Sequence, residues 1–129
     1  MIKGGNFIMA GIKHGAPQVP TPLRVMMYFE STSGWFNTTG DEKTHEVLPA
    51  LNEVIASWKE NGSELLGTFD RDILTAGAAG SAGYHACFLY NIPDLQTVAD
   101  MTHSFRATGL DKYFRLEAVI GRPFFLLEN

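Results

Sequence analysis

Leu23-Arg-Val-Met-Met-Tyr-Phe-Glu30 is rich in β-formers and largely apolar on both of its alternating faces. A strand of that kind belongs in a sheet covered on both sides. From it onward the hydrophobic pattern reads strand, helix, strand, strand, helix, strand. The chain closes on Gly109-Leu-Asp-Lys-Tyr-Phe-Arg-Leu-Glu-Ala-Val-Ile-Gly-Arg-Pro-Phe-Phe125. That order fits an α+β architecture, a four-stranded antiparallel sheet with two helices on one face. The other face then has no cover from its own chain.

Between the strands the period changes. Val47, Leu48, Leu51, Val54, Ile55 and Trp58 form one helical stripe within Asp41 to Asn61. Asp41 and Glu42 suit its positive end, and Gly62 is a plausible stop. Pro49 sits inside the stripe and predicts a kink or break near His45 to Leu48. Ser31 to Gly40 reads as a polar, Gly-punctuated loop carrying Trp35 and Phe36. Glu64 to Asp70 is the second strand, which Ile73-Leu-Thr75 would extend. Gly77 to Gly83 is a flexible connection, and Tyr84 to Ile92 is the third strand. Pro93 and Asp94 open a second helix with the stripe Leu95, Val98, Ala99, Thr102, Phe105 and Arg106, ended by Gly109. Tyr113 to Ile120 is the fourth strand, stopped by Gly121-Arg-Pro123.

A length of 129 residues has room for one domain, read here as a flexible leader over 1–22 and a single domain over 23–129. Apolar residues make up 45% and charged residues 19%, a charge-poor balance that fits a surface shared with a partner. The net charge of -4 and the lack of any basic stripe argue against nucleic acid. Cys87 is the sole cysteine, which excludes an internal disulfide, and its apolar setting suits a buried structural thiol. No apolar run approaches the ~20 residues of a membrane span, and no signal peptide is evident, so a cytoplasmic location is the default. His14, His45, His85 and His103 show no paired ligand spacing, which argues against a metal site. The Gly77-x-x-Gly80-x-x-Gly83 run joins two strands instead of opening a helix, so it is a poor phosphate loop.

The uncovered face has a consequence for assembly. Met26 and Tyr28 lie on one face of the first strand, and Val25, Met27 and Phe29 on the other. In the third strand Tyr84, Ala86, Phe88 and Tyr90 alternate with His85, Cys87, Leu89 and Asn91. One set packs under the helices; the other exceeds the few hundred Å² of apolar patch a monomer tolerates. A second copy across a two-fold axis would remove roughly 1,600 Å² or more from water and enclose a barrel-like cavity. The expectation is a homodimer.

The strand and helix order, the Pro93-Asp-Leu95 helix opening and the Leu110-Asp-Lys-Tyr-Phe-Arg…Gly-Arg-Pro123 ending resemble the dimeric α+β barrel (ferredoxin-like, βαββαβ) superfamily over residues 23 to 125. Within it the chain is most similar to the small B-type proteins of bacterial indole-3-acetate degradation. The resemblance implies a cavity for a small aromatic ligand. It leaves the reaction open, because members include cofactor-free monooxygenases, isomerases, haem-handling enzymes and non-catalytic proteins. The leading expectation is a small enzyme acting on an aromatic or indole-like compound with no tightly bound cofactor. The rival is a non-catalytic binding or accessory protein.

Within either reading, His85 in a central strand suits an acid or base near neutral pH, or a histidine hydrogen-bonded in a dimer core. Tyr28 and Glu30 share a strand face and would orient substrate; an exposed strand end in water is the equal alternative for Glu30. Trp35 and Phe36 would line or lid an apolar pocket, or plug the barrel end as structure. His45, near the predicted helix break, is a ligand contact or a solvated helix histidine. Arg115 suits a carboxylate ligand, with Tyr113 beside it, or else it and Glu117, on the same strand face, serve in a cross-strand or inter-subunit salt bridge. One histidine suffices to ligate haem, so composition alone does not exclude that group.

Overall fold

The computed structural model describes residues 22–74, 76–77, 84–124 and 126–128. The expected leader up to residue 21 and residues 78–83 of the expected glycine-rich connection lie outside the described residues.

Strand β1 (Leu23–Ser31) alternates as its sequence demands. Leu23, Val25, Met27 and Phe29 are buried, while Arg24, Met26, Tyr28 and Glu30 face the other way. Around it the sheet runs β2-β3-β1-β4, with β2 (Glu64–Asp70), β3 (Ala86–Ile92) and β4 (Phe114–Gly121) all antiparallel to their neighbours. The first and third strands are therefore central. Register fixes the faces. Tyr28 pairs with Cys87 on one side and Glu117 on the other, and Met26 with Leu89 and Val119.

Two long helices cover one face. Helix α3 (Leu48–Lys59) buries Val54 and Trp58, and α4 (Leu95–Ala107) buries Val98, Met101 and Phe105. The Trp58 indole N–H donates to Ser104 Oγ at 3.1 Å, and its ring meets Tyr90 edge-on at 6.0 Å. Fully burying a side chain of the Met or Phe class contributes about 1.5–3 kcal/mol, so this layer carries the stability of the fold. Burial also holds the Tyr90 hydroxyl protonated, with its pKa pushed up to about 12.

Several boundaries differ from the sequence reading, each for a local reason. The expected loop after β1 holds two short helical turns, α1 (Ser33–Phe36) and α2 (Gly40–Glu42). Their caps are threonines: Thr32 Oγ1 accepts from Gly34 N–H and Thr39 Oγ1 from Glu42 N–H, each at 3.1 Å. The predicted helix break is a π-turn over Lys43–Val47, closed by Leu48 N–H on the Lys43 carbonyl. Pro49 has no N–H for the His45 carbonyl and its ring crowds that oxygen, so the backbone takes the wider turn.

Strand β2 stops at Asp70, and Ile73 and Leu74 do not extend it; they are 93% and 83% exposed. Asp70 Oδ1 accepts from Asp72 N–H at 2.9 Å, which turns the chain out of the ladder. The stripe of α4 is Val98, Met101 and Phe105; Leu95, Ala99 and Arg106 are exposed, contrary to the sequence reading. Gly109 ends that helix with φ 80, a left-handed conformation that favours glycine. A 3₁₀ turn over Leu110–Lys112 follows, so β4 begins at Phe114 and not at Tyr113. Among the described residues no helix is long and apolar enough to cross a membrane.

Candidate functional site

The face opposite the helices carries the candidate site. Antiparallel pairing sets Glu30 opposite Arg115, Tyr28 opposite Glu117 and Met26 opposite Val119, so three cross-strand pairs stand side by side. Tyr28, Glu30, Arg115, Glu117 and Val119 of these pairs, with Tyr84 from the segment before β3, line a concavity of ≈ 720 Å³. Arg115 Nη1 donates to Glu30 Oε1 at 2.9 Å, with both side chains reachable by solvent. An exposed pair of this kind is worth only about 0–1 kcal/mol, so a competing carboxylate can take the guanidinium at small cost.

Tyr28 and Tyr84 meet edge to face, ring centroids 4.7 Å apart and planes at 65°. They make an aromatic corner at one wall. The Tyr28 hydroxyl donates to Met26 Sδ at 3.3 Å, a weak acceptor that a ligand oxygen would outcompete. Its pKa is raised, first by burial and then by the negative ends of Cys87, Tyr84 and Glu117, so the phenol remains a donor at neutral pH. Cys87 is buried beneath this face between Tyr28 and Phe69, and burial raises its thiol pKa, which keeps it an inert structural group.

His85 falls outside the main concavity. It precedes β3 instead of sitting inside it, and it is exposed, not walled by apolar neighbours as the sequence suggested. Its Nδ1 shares a hydrogen bond with Ser31 Oγ at 3.1 Å, and its backbone N–H donates to the Phe29 carbonyl at 2.7 Å. With Arg71, Asp72 and Tyr84 it lines a smaller depression of ≈ 290 Å³. Tyr84 is thus the wall between the two hollows. The Arg71 guanidinium lies 5.3 Å from the Tyr84 ring centroid and donates to the Tyr84 carbonyl at 3.2 Å.

The other sequence candidates are spread apart. Phe36 is 62% exposed, with its ring 6.3 Å from His85. Trp35 stacks at 5.2 Å on Phe114, beneath the Lys43 ammonium, and belongs to the helix layer. His45 stands on the π-turn in solvent, its Nδ1 3.1 Å from the Asp41 carboxylate. Tyr113 packs against the helix-side core below Lys112. None of Trp35, His45 and Tyr113 lines the ≈ 720 Å³ concavity. Of the expected residues, the structure brings Tyr28, Glu30 and Arg115 together there.

Sequence reasoning missed Tyr84 and Glu117 as lining residues. The cross-strand salt bridge expected for Arg115 forms with Glu30 on β1. Among the described residues Glu117 takes part in no ion pair or side-chain hydrogen bond. Only the β1–β4 register, which puts Glu117 opposite Tyr28, reveals it.

An antiparallel β2-β3-β1-β4 sheet with helices on a single face defines the ferredoxin-like α+β fold. Among solved structures the chain is similar to a chlorite dismutase-like protein, TA0507, with a TM-score of 0.53 at 20% identity. The likeness covers 81% of this chain and 46% of that one, so this chain spans about half the length of its structural neighbour. At that identity the shared feature is the fold. No protein-family model matches the chain, and no curated protein does.

Proposed function

We propose that the chain is a small enzyme that binds a planar aromatic compound bearing an anionic group in the open-face concavity. The observation that carries this reading is the convergence of an aromatic corner (Tyr28 and Tyr84) and a displaceable guanidinium (Arg115) on one ligand-sized hollow. Hollows of several hundred Å³ suit small ligands, and rings pack edge-on or offset against tyrosines. The groups present handle protons and charge, so the reaction proposed needs no tightly bound cofactor. Indole-type acids, in a cytoplasmic route of indole-3-acetate breakdown, are the first compounds to try.

The enzyme works as a homodimer in this reading. Met26 and Val119 are 37% and 47% exposed on the open face, and Phe69 is 54% exposed at its edge. A second copy would withdraw these from water and roof the hollow, which strengthens every electrostatic contact inside it. A binding or accessory role is the second reading, favoured by the position of His85 outside the concavity.

Calorimetric titration with indole-3-acetate and its ring-oxidised derivatives tests the proposal. Binding is expected at one site per chain, weakened about tenfold or more in Arg115→Gln, the scale of a lost charged hydrogen bond. Binding that ignores Arg115, or heat released equally by an indole lacking a carboxylate, would move the site elsewhere.

A further inference from the structure

We infer that Glu117 is the general base of this site and that its substrates are aromatic compounds with an acidic C–H or O–H proton. The inference deepens the proposed function and rests on it. A base needs a carboxylate free to accept. Two carboxylates line the concavity, and Glu30 is already engaged by Arg115 at 2.9 Å. Glu117 takes part in no ion pair among the described residues and stands opposite Tyr28 in register. A ring resting on the Tyr28–Tyr84 corner therefore meets a proton acceptor on β4, a phenolic donor on β1 and a guanidinium beside them. That is an acid, a base and a counter-charge around one hollow.

His85 is the competing base, and its surroundings weigh against it. Its hollow lies beyond Tyr84, apart from Glu30, Arg115 and Glu117, and is shared with Arg71. Asp72 is the acidic group there, and Ser31 Oγ occupies Nδ1.

The chemistry can be examined with 5-nitrobenzisoxazole, a planar aromatic carbon acid that needs no co-reactant. A Glu117 oxygen takes the proton from C3. The C–H electron pair becomes the third bond of a nitrile, and the N–O bond breaks. The leaving electrons settle on oxygen as 2-cyano-4-nitrophenolate, which the Tyr28 hydroxyl and Arg115 receive and whose colour reports turnover.

The full chain is expected to turn this probe over saturably. Glu117→Gln should lower kcat by about 10²-fold, the lower end of what a positioned base supplies, with KM little changed. Glu117→Asp should recover part of that loss, and His85→Gln should leave the rate intact. Glu117 is exposed, so its variants should keep the circular dichroism of the parent. A rate unaffected by Glu117→Gln, or lost in His85→Gln instead, would overturn the assignment.

Binding of the product 2-cyano-4-nitrophenol, followed by quenching of tyrosine emission and compared in Tyr28→Phe, separates the two levels. Binding at Tyr28 without turnover would sink Glu117 as base and leave the site standing. No binding at Tyr28 would remove the site and the base together.

Discussion

The two faces of the sheet are made of the same strands and behave as different materials. On the helix side, Leu23, Val25, Met27 and Phe29 of β1 are buried, and Trp58, Tyr90, Met101 and Phe105 interlock with them. On the other side, the same strand offers Tyr28 and Glu30 to a hollow whose polar contacts are weak or replaceable. One face spends its side chains on packing density and the other keeps its groups available. The contrast explains how a chain of this size can hold a fold and the proposed site on one sheet: stability is concentrated away from the proposed ligand face.

The largest test of that division is on the covered side. Trp58→Ala removes a ring buried to 1% exposure, along with its hydrogen bond to Ser104. It should cost about 3–5 kcal/mol in urea unfolding, enough to leave much of a marginal domain unfolded. A loss below about 1 kcal/mol would mean that the helix layer is not the seat of stability.

On the open side the expected effect is on assembly. Val119→Asp puts a carboxylate on the proposed mating surface, next to Glu117. The variant should sediment as a monomer while the parent sediments as a dimer. Its secondary structure should persist, because an exposed substitution changes the stability of the fold itself by about 0.5 kcal/mol or less. A dimer unaffected by that charge would place the interface off the open face. The barrel reading of the hollow would go with it.

Tyrosine titration compares the faces within one experiment. Tyr90 under the helices is pushed up to about 12 by burial, and Tyr28 on the open face is raised too, first by burial. A phenol whose pKa is raised on folding binds its proton more tightly in the native state. Its stabilisation is complete below the unfolded value near 10 and is lost as pH rises through the folded value. Alkaline unfolding should therefore begin above pH 10, and Tyr90→Phe should remove much of that dependence. Tyr28→Phe should change it less, since that ring is half-buried where Tyr90 is fully buried. Equal effects from both would erase the distinction between a packed face and an available one.

How much of this was legible follows the same boundary. The alternation of β1 and the stripe of α3 report burial against the chain's own residues, and both strand order and helix placement follow from them. Pro49 marked the π-turn, although periodicity could not say whether the backbone would kink or widen. The short helices α1 and α2 were missed because their signal is a single threonine cap each, at Thr32 and Thr39. The site was half legible. Tyr28, Glu30 and Arg115 stand out by type and strand face, whereas Glu117 and Tyr84 join them only through cross-strand register and the approach to β3. Register between strands far apart in sequence is not written in either strand alone.

The smallest effect expected lies at the start of α4, remote from both faces. Asp94 caps that helix, its Oδ1 accepting from Thr97 N–H at 2.8 Å and from Thr97 Oγ1 at 2.7 Å. These bonds, the side-chain one first, hold its carboxyl below the usual range. A carboxyl whose pKa is lowered on folding contributes stability that is present above its unfolded value near 3.9 and lost as pH falls through the folded value. Asp94→Asn keeps a capping oxygen but no titration, so it should flatten the acid limb of the stability curve while leaving neutral stability nearly unchanged. Asp94→Ala should lower Tm at both neutral and mildly acidic pH and remove the acid dependence as well. If Asp94→Asn instead weakened binding in the open-face hollow, the helix layer and the site would be coupled, and the separation of the two faces would fail at its least expected point.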